Sequence, residues 1–279
     1  MAIKLGAGGG GTLFTIPITK STTWTPPFDG TAVIHCIGAG GSGSTNTHNQ
    51  QEPGGGGAGG YSRKVVTLAT GTNWTMVVGA GGASVGYTNN GIDGGNTTAT
   101  DGSSSLTANG GEGGAQGSTP TPGAGGTASG GDVNNTGGVG GTSTNDRQMN
   151  GGGAVGILGT GNAGDSTTGA GVPNQSSHGG HSDVQSPQFE NTNGELRGGG
   201  RGGNFYFNQN THTQATVNGG FLAGGGAAIG KFNSMMAKGG DGGIGGGGGS
   251  GRVDGAGAEE ASSGAGGAGL IIVMYTAIG

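Results

Sequence analysis

Residues 239–278 read GGDGGIGGGGGSGRVDGAGAEEASSGAGGAGLIIVMYTAI. A nearly pure Gly/Ala run meets a compact apolar segment, Leu270 to Tyr275, close to the end of the sequence. The apolar segment is β-branched and short, which predicts a strand that completes a small β-domain begun near the N-terminus. The glycine run before it suits neither a helix nor an ordinary strand, because glycine loses the most backbone freedom on folding and brings no side chain to pack.

The same grammar runs through the chain. Of 279 residues 79 are Gly, 8 are Pro and 9% are charged. Disorder usually comes with many charges or prolines, and collagen requires Gly at every third position with abundant Pro; neither condition holds. The remaining solution is the threefold polyglycine II helix, rising about 3.1 Å per residue with no internal hydrogen bonds. Its N–H and C=O groups point outward in three directions, so parallel-packed rods satisfy one another's backbones. Such close approach requires Gly, with Ala and Ser confined to outward positions.

Strand character is concentrated at 12–19, 31–37, 61–68, 73–78 and 269–277. Pro17 marks the first as an edge, and the continuous apolar run of the second predicts burial on both faces. About five strands suffice for a modest sandwich, with Trp24, Trp74, Phe14, Phe28 and Leu270 to Met274 as its core. Cys36 is the lone cysteine and reads as a small buried hydrophobe. The fold class is therefore all-β: a small β-sandwich (1–82 plus 269–279) closed by the C-terminal strand, with a polyglycine II bundle (83–268) inserted and essentially no α-helix. Glycine blocks recur at irregular spacing with polar inserts between them, notably 142–149, 172–197, 204–218 and 231–238, so the design is rods joined by variable loops.

The net charge of −5 with 10 Lys+Arg argues against a nucleic-acid partner. Residues 269–278 are too short to span a bilayer, and no charged segment followed by an apolar one opens the chain as a signal peptide would. The run 225–231, GGAAIGK, resembles a phosphate loop, but Phe232 stands where Ser or Thr is needed and no helix is predicted to follow. His178, His181 and Asp183 are a metal set on paper, but the glycine pair between the histidines gives poor preorganisation. No nucleophile elbow or acid-rich cleft is suggested. Neither catalysis nor a metal or other cofactor is expected.

Phe205, Tyr206 and Phe207 are the sharpest feature: three aromatic rings between Asn204 and Asn208, flanked by glycine runs that offer little core. Two readings stay open, a recognition surface of rigid rings and orienting amides or rings that pack together to cap rod ends. For Phe221 and Phe232 capping is the simpler reading.

Four segments together, WTPPFDGTAVIHCIGAGG (24–41), GGGGAGGYSRKVVTL (54–68), NWTMVVGAGG (73–82) and GGAGLIIVMY (266–275), resemble the glycine-rich domain of bacteriophage tail-fibre and tail-tip proteins. The middle is similar in style to the distal fibre adhesins of T-even-type phages. That resemblance implies a virion protein made in the host cytoplasm, a host receptor (a cell-surface glycan or outer-membrane protein) and other tail proteins as partners. Fibre proteins are often trimers, so the resemblance allows a homotrimer, but no trimerisation motif is visible and the sequence does not give the oligomeric state. Receptor contacts are expected from Phe205, Tyr206, Phe207, Asn208, His212, His178, His181, Met235 and Met236. The alternative is a purely structural virion component of the baseplate, a fibre junction or the capsid surface.

Overall fold

The computed structural model describes residues 3–5, 12–47, 52–117, 121–141, 152–164, 214–215, 218–231, 236–254 and 260–277. Two antiparallel sheets are built from β1 (Ile3–Leu5), β2 (Thr12–Ile18), β3 (Thr22–Trp24), β4 (Gly30–Ile37), β5 (Tyr61–Leu68), β6 (Trp74–Val77), β7 (Thr97–Thr100), β8 (Ser105–Ala108), β9 (Ala128–Ser129), β10 (Val133–Asn135) and β11 (Leu270–Ala277). The first runs β1-β2-β11-β4-β5-β10 and the second β9-β8-β7-β6-β3. Period-two alternation aims Ala32, Ile34 and Cys36 of β4, Val66 and Leu68 of β5 and Ile271, Val273 and Tyr275 of β11 at Trp74, Met76, Ala99, Leu106 and Ala108 of the second sheet. The result is a sandwich with the C-terminal strand in the middle of its larger sheet. Burial pushes the Cys36 thiol up to about 12, so this residue is an inert part of the core.

Several expectations change in detail. β2 is not an edge along residues 13–15, where β1 pairs with it. β4 is buried on both faces only near Ile37; Thr31 on its outer face is exposed. The second sheet takes β7, β8 and β9 from 97–129, inside the stretch read as rods, and β10 adds 133–135 to the first sheet. The β7–β8 hairpin turns at Asp101-Gly102, where Gly102 has φ +89° and Asp101 Oδ1 accepts the N–H groups of Ser103 and Ser104.

Between the strands the glycine runs form the predicted threefold rods. Along residues 54–60 the N–H groups of Gly54, Gly57 and Gly60 donate to Ala115, Glu112 and Asn109, those of Gly55 and Ala58 to Gly141 and Gly138, and those of Gly56 and Gly59 to Gly248 and Gly245, at 2.8–3.2 Å. The carbonyls accept in turn: Gly54, Gly57 and Gly60 from Ser44, Gly41 and Gly38, Gly55 and Ala58 from Gly123 and Gly126, and Gly56 from Gly153. One rod thus meets six others, with partners recurring every third residue as a threefold helix requires. At about 3.1 Å per residue it is roughly 20 Å long.

Ala and Ser are not confined to outward positions. Ala39, Ala58, Ala154, Ala223, Ser42, Ser44 and Ser263 are all fully buried. A serine is tolerated inside where its hydroxyl joins or replaces a backbone partner: Ser44 Oγ accepts the Gly54 N–H at 2.8 Å alongside Ala115 O, and Ser42 Oγ accepts that of Ile92 at 2.8 Å. The rod at 90–96 uses longer side chains in the same way. Asn96, Asp93 and Asn90 accept, through Oδ1, the N–H groups of Gly110, Gly113 and Gln116 at 2.8–3.0 Å. Spacing of three on both rods makes this a ladder of side-chain acceptors in place of carbonyls.

Rods and sandwich share a second apolar cluster. Ile37, Tyr61 and Leu270 lie side by side on the outer face of the larger sheet and are covered by Val155 and Leu222, with Ile157 and Ile244 packed against them. These covering residues stand in glycine-rich runs, GGGAVGILG (151–159), GGFLAGGG (219–226) and GGIGG (242–246). Leu222 and Gly245 sit at rod turns with φ +63° and +70°. Gly245 is required there, since a Cβ would strike Val155 and Ile37 side chains as well as adopting a disfavoured φ.

At this seam His35 Nδ1 and the Tyr61 hydroxyl share a 2.8 Å hydrogen bond. Burial first, and the nearby positive Arg63 second, hold the His35 pKa below its ordinary 6.5. Unfolded chains therefore bind this proton at higher pH than folded ones, so the stability it contributes is present above about 6.5 and lost as the pH falls below it. Denaturation midpoints should drop between about pH 7 and pH 5, and His35→Gln should flatten that slope relative to wild type in paired urea titrations.

Candidate functional site at the far end of the rods

Chain direction alternates from rod to rod. Residues 38–44 leave β4 and 54–60 return to β5; 109–115 leave β8, and 135–141 leave β10. The turns at Leu222 and Ile244 lie at the sandwich end and send the chain outward again. Opposite them, at the end away from the sandwich, lie the connection 83–88 and the rod ends at 45–47, 52–53, 115–117 and 121, joined by the bridges Thr45–Asn89 and Ala115–Thr121. Two small parallel sheets show the sorting. Thr45–Asn46, Gly251–Asp254 and Ala228–Lys231 are outgoing and pair with one another; Gln214–Ala215, Met236–Lys238 and Glu260–Ser262 are incoming and pair likewise. The phosphate-loop look-alike thus enters a parallel strand, Ala228–Lys231, rather than a loop facing a helix N-terminus.

His178, His181, Phe205, Tyr206, Phe207, Asn208, His212 and Met235 lie outside the described residues, as does Phe232. The backbone of Met236 is at the far end, in the strand Met236–Lys238. Gly141 and Gly152, which flank the insert 142–151, sit at the levels of Gly55 and Gly225, away from the sandwich. Phe221 belongs to the opposite end and is 37% exposed, whereas its neighbour Leu222 is buried.

The short strands at this end carry Glu52, Lys231, Lys238, Arg252, Asp254 and Glu260. Arg252 is 1% exposed and lies opposite Asn46, itself buried, so the guanidinium is sequestered within the bundle. Lys238 Nζ approaches Asp241 Oδ2 at 4.0 Å on the surface, a pair of the exposed kind that contributes little. Asp241 Oδ1 also accepts the Ala265 N–H at 2.9 Å, extending the side-chain capping of rods.

Tyr87 is the residue that sequence reasoning missed. It is 63% exposed in the connection between the rods 79–82 and 89–95, and its φ is +58°. Its neighbourhood is pinned from two sides. The Tyr87 N–H donates to Ala261 O at 3.0 Å, and Val85 N–H donates to Ser263 Oγ at 3.0 Å. Across the loop Thr45 N–H donates to Asn89 O at 2.9 Å, and the hydroxyls of Thr47 and Thr88 meet at 2.9 Å. The available signal was a lone aromatic followed by Thr-Asn-Asn between glycine runs, a smaller version of the 204–208 pattern.

No curated protein matches the chain. A family model described as a glycine-rich domain matches residues 15–276, from within β2 almost to the end of β11. The sandwich and the rods that spring from it are together that unit, and the chain belongs to the glycine-rich domain family.

Proposed function

We propose that this protein is a receptor-binding adhesin of a bacteriophage tail fibre or tail tip, contacting a host cell-surface glycan or outer-membrane protein through connections at the far end of its rods. The observation that supports this reading is the two-ended architecture of the described rods: their inner ends are built into a sandwich, and their outer ends carry the connection 83–88 and the short strands that flank the inserts 232–235 and 255–259. A bundle held by main-chain hydrogen bonds is indifferent to what its connections contain, and functional residues concentrate on loops over rigid scaffolds. The sandwich then faces the particle and the loops face the host.

The test is binding of purified protein to intact candidate host cells, wild type beside a variant with Phe205, Tyr206 and Phe207 changed to Ser. The variant should keep the wild-type circular dichroism and bind roughly thirtyfold or more weakly, the effect of losing an aromatic hot spot. Wild-type protein that incorporates into particles yet binds no cell that those particles infect would replace this reading with that of a structural virion component.

A further inference from the structure

We propose that Tyr87 is the platform of a saccharide-binding site at the far end of the rods, an assignment that rests on the reading of that end as the host-facing one and narrows its ligand to a carbohydrate. A tyrosine ring 63% exposed gains little from the core, and its φ of +58° is a conformation that bulky side chains avoid. Both costs vanish with glycine, the residue used at most rod positions around it. The backbone that carries this ring is nevertheless held, with the hydrogen bonds to Ala261, Ser263, Thr45 and Thr47 fixing the segment on both sides. A ring presented on a fixed backbone is preorganised for a flat ligand, with little ordering left to offset on binding.

The surroundings specify the ligand's chemistry. Segments 45–47, 85–91 and 261–263 contain no charged residue, which disfavours phosphates, acidic peptides and ions. Asn89 and Asn90, two and three residues after Tyr87, are exposed, and Thr88 is partly exposed; Asn89 Nδ2 donates to Gly86 O and Asn90 Oδ1 accepts the Gln116 N–H, so each amide has one end engaged by the backbone. An aromatic face bordered by neutral amides and hydroxyls matches a pyranose, whose C–H face stacks on the ring while its hydroxyls hydrogen-bond at the rim.

The experiment is saturation-transfer NMR of the full chain with methyl glycosides of glucose, galactose, mannose and N-acetylglucosamine, using wild type, Tyr87→Phe and Tyr87→Gly. Transfer to the ring C–H protons of at least one glycoside is expected with wild type and Tyr87→Phe and should be lost with Tyr87→Gly. Tyr87→Gly should melt at or above the wild-type temperature, because it relieves the backbone and removes no core contact; lost binding then cannot be ascribed to misfolding. Absence of transfer with wild type, or equal transfer with Tyr87→Gly, overturns the assignment. Wild type that adheres to cells but takes none of the glycosides overturns it while leaving the adhesin reading intact; wild type that takes a glycoside but adheres to no cell does the reverse.

Discussion

Gly57→Ala should destabilise the protein by roughly 3–5 kcal/mol, from overpacking plus one or two lost backbone hydrogen bonds, whereas Ala58→Gly next to it should cost only about 1–2 kcal/mol, from one methyl and added unfolded-state freedom. A Cβ on Gly57 would fall far inside 3.0 Å of the Ala124 carbonyl. That obstacle is backbone, and it cannot swing aside as a side chain can. The 123–126 rod is also tied to the rod being changed, through Gly123 N–H to Gly55 O at 2.9 Å and Gly126 N–H to Ala58 O at 2.8 Å. Making room for one methyl therefore breaks the bonds that define the packing. Ala58 instead points its methyl into the cluster of Ile37, Tyr61, Val155, Leu222 and Leu270. Urea unfolding followed by far-UV circular dichroism measures both. Equal costs for the two variants would show that the rods repack freely.

The second large effect is at the centre of the sandwich. Trp74 is fully buried, pairs with Trp24 across the β3–β6 ladder and packs into the core with Met76, Ile34 and Leu106. Trp74→Ala should cost about 3–5 kcal/mol, the range for emptying an aromatic site. Trp74→Phe should cost no more than about 1–2 kcal/mol, because it also removes an orphan. Trp74 Nε1 is buried without a hydrogen-bond partner, and such a donor itself costs about 1–3 kcal/mol. The phenyl ring leaves a smaller void and no stranded N–H. The comparison is made in guanidinium melts read by circular dichroism, since indole fluorescence changes with the substitution itself. A Phe variant as unstable as the Ala variant would mean that indole shape, and not apolar filling, holds the two sheets together.

Five strands were legible because their inward residues are large and alternate: Ile34 and Cys36 in β4, Val66 and Leu68 in β5, Ile271 and Val273 in β11. The rods were legible from composition and backbone valence alone. The β7–β8 hairpin was not, since its inward residues include Thr97, Ala99 and Ala108, which carry almost no hydropathy signal; only Asp101-Gly102 announced the turn. Val155, Leu222 and Ile244 looked like noise in glycine runs, because their partner is a sheet face far away in sequence. Buried serines escaped notice for a related reason: composition does not show which rod N–H groups, such as those of Gly54 and Ile92, face a hydroxyl across the bundle. Of the candidate site, the aromatic-plus-amide signature at 204–208 drew attention away from the single ring of Tyr87, which only the loop's anchoring makes conspicuous.

The sixfold neighbourhood of residues 54–60 has a thermal consequence. Hydrocarbon burial gives ordinary domains a heat capacity of unfolding of about 12–15 cal/mol/K per residue, and amide burial works in the opposite direction. A bundle that buries peptide groups and few methyls must fall below that range. Its free energy then varies less steeply with temperature, and it loses less cohesion on cooling than a fold whose interior depends on water's aversion to hydrocarbon.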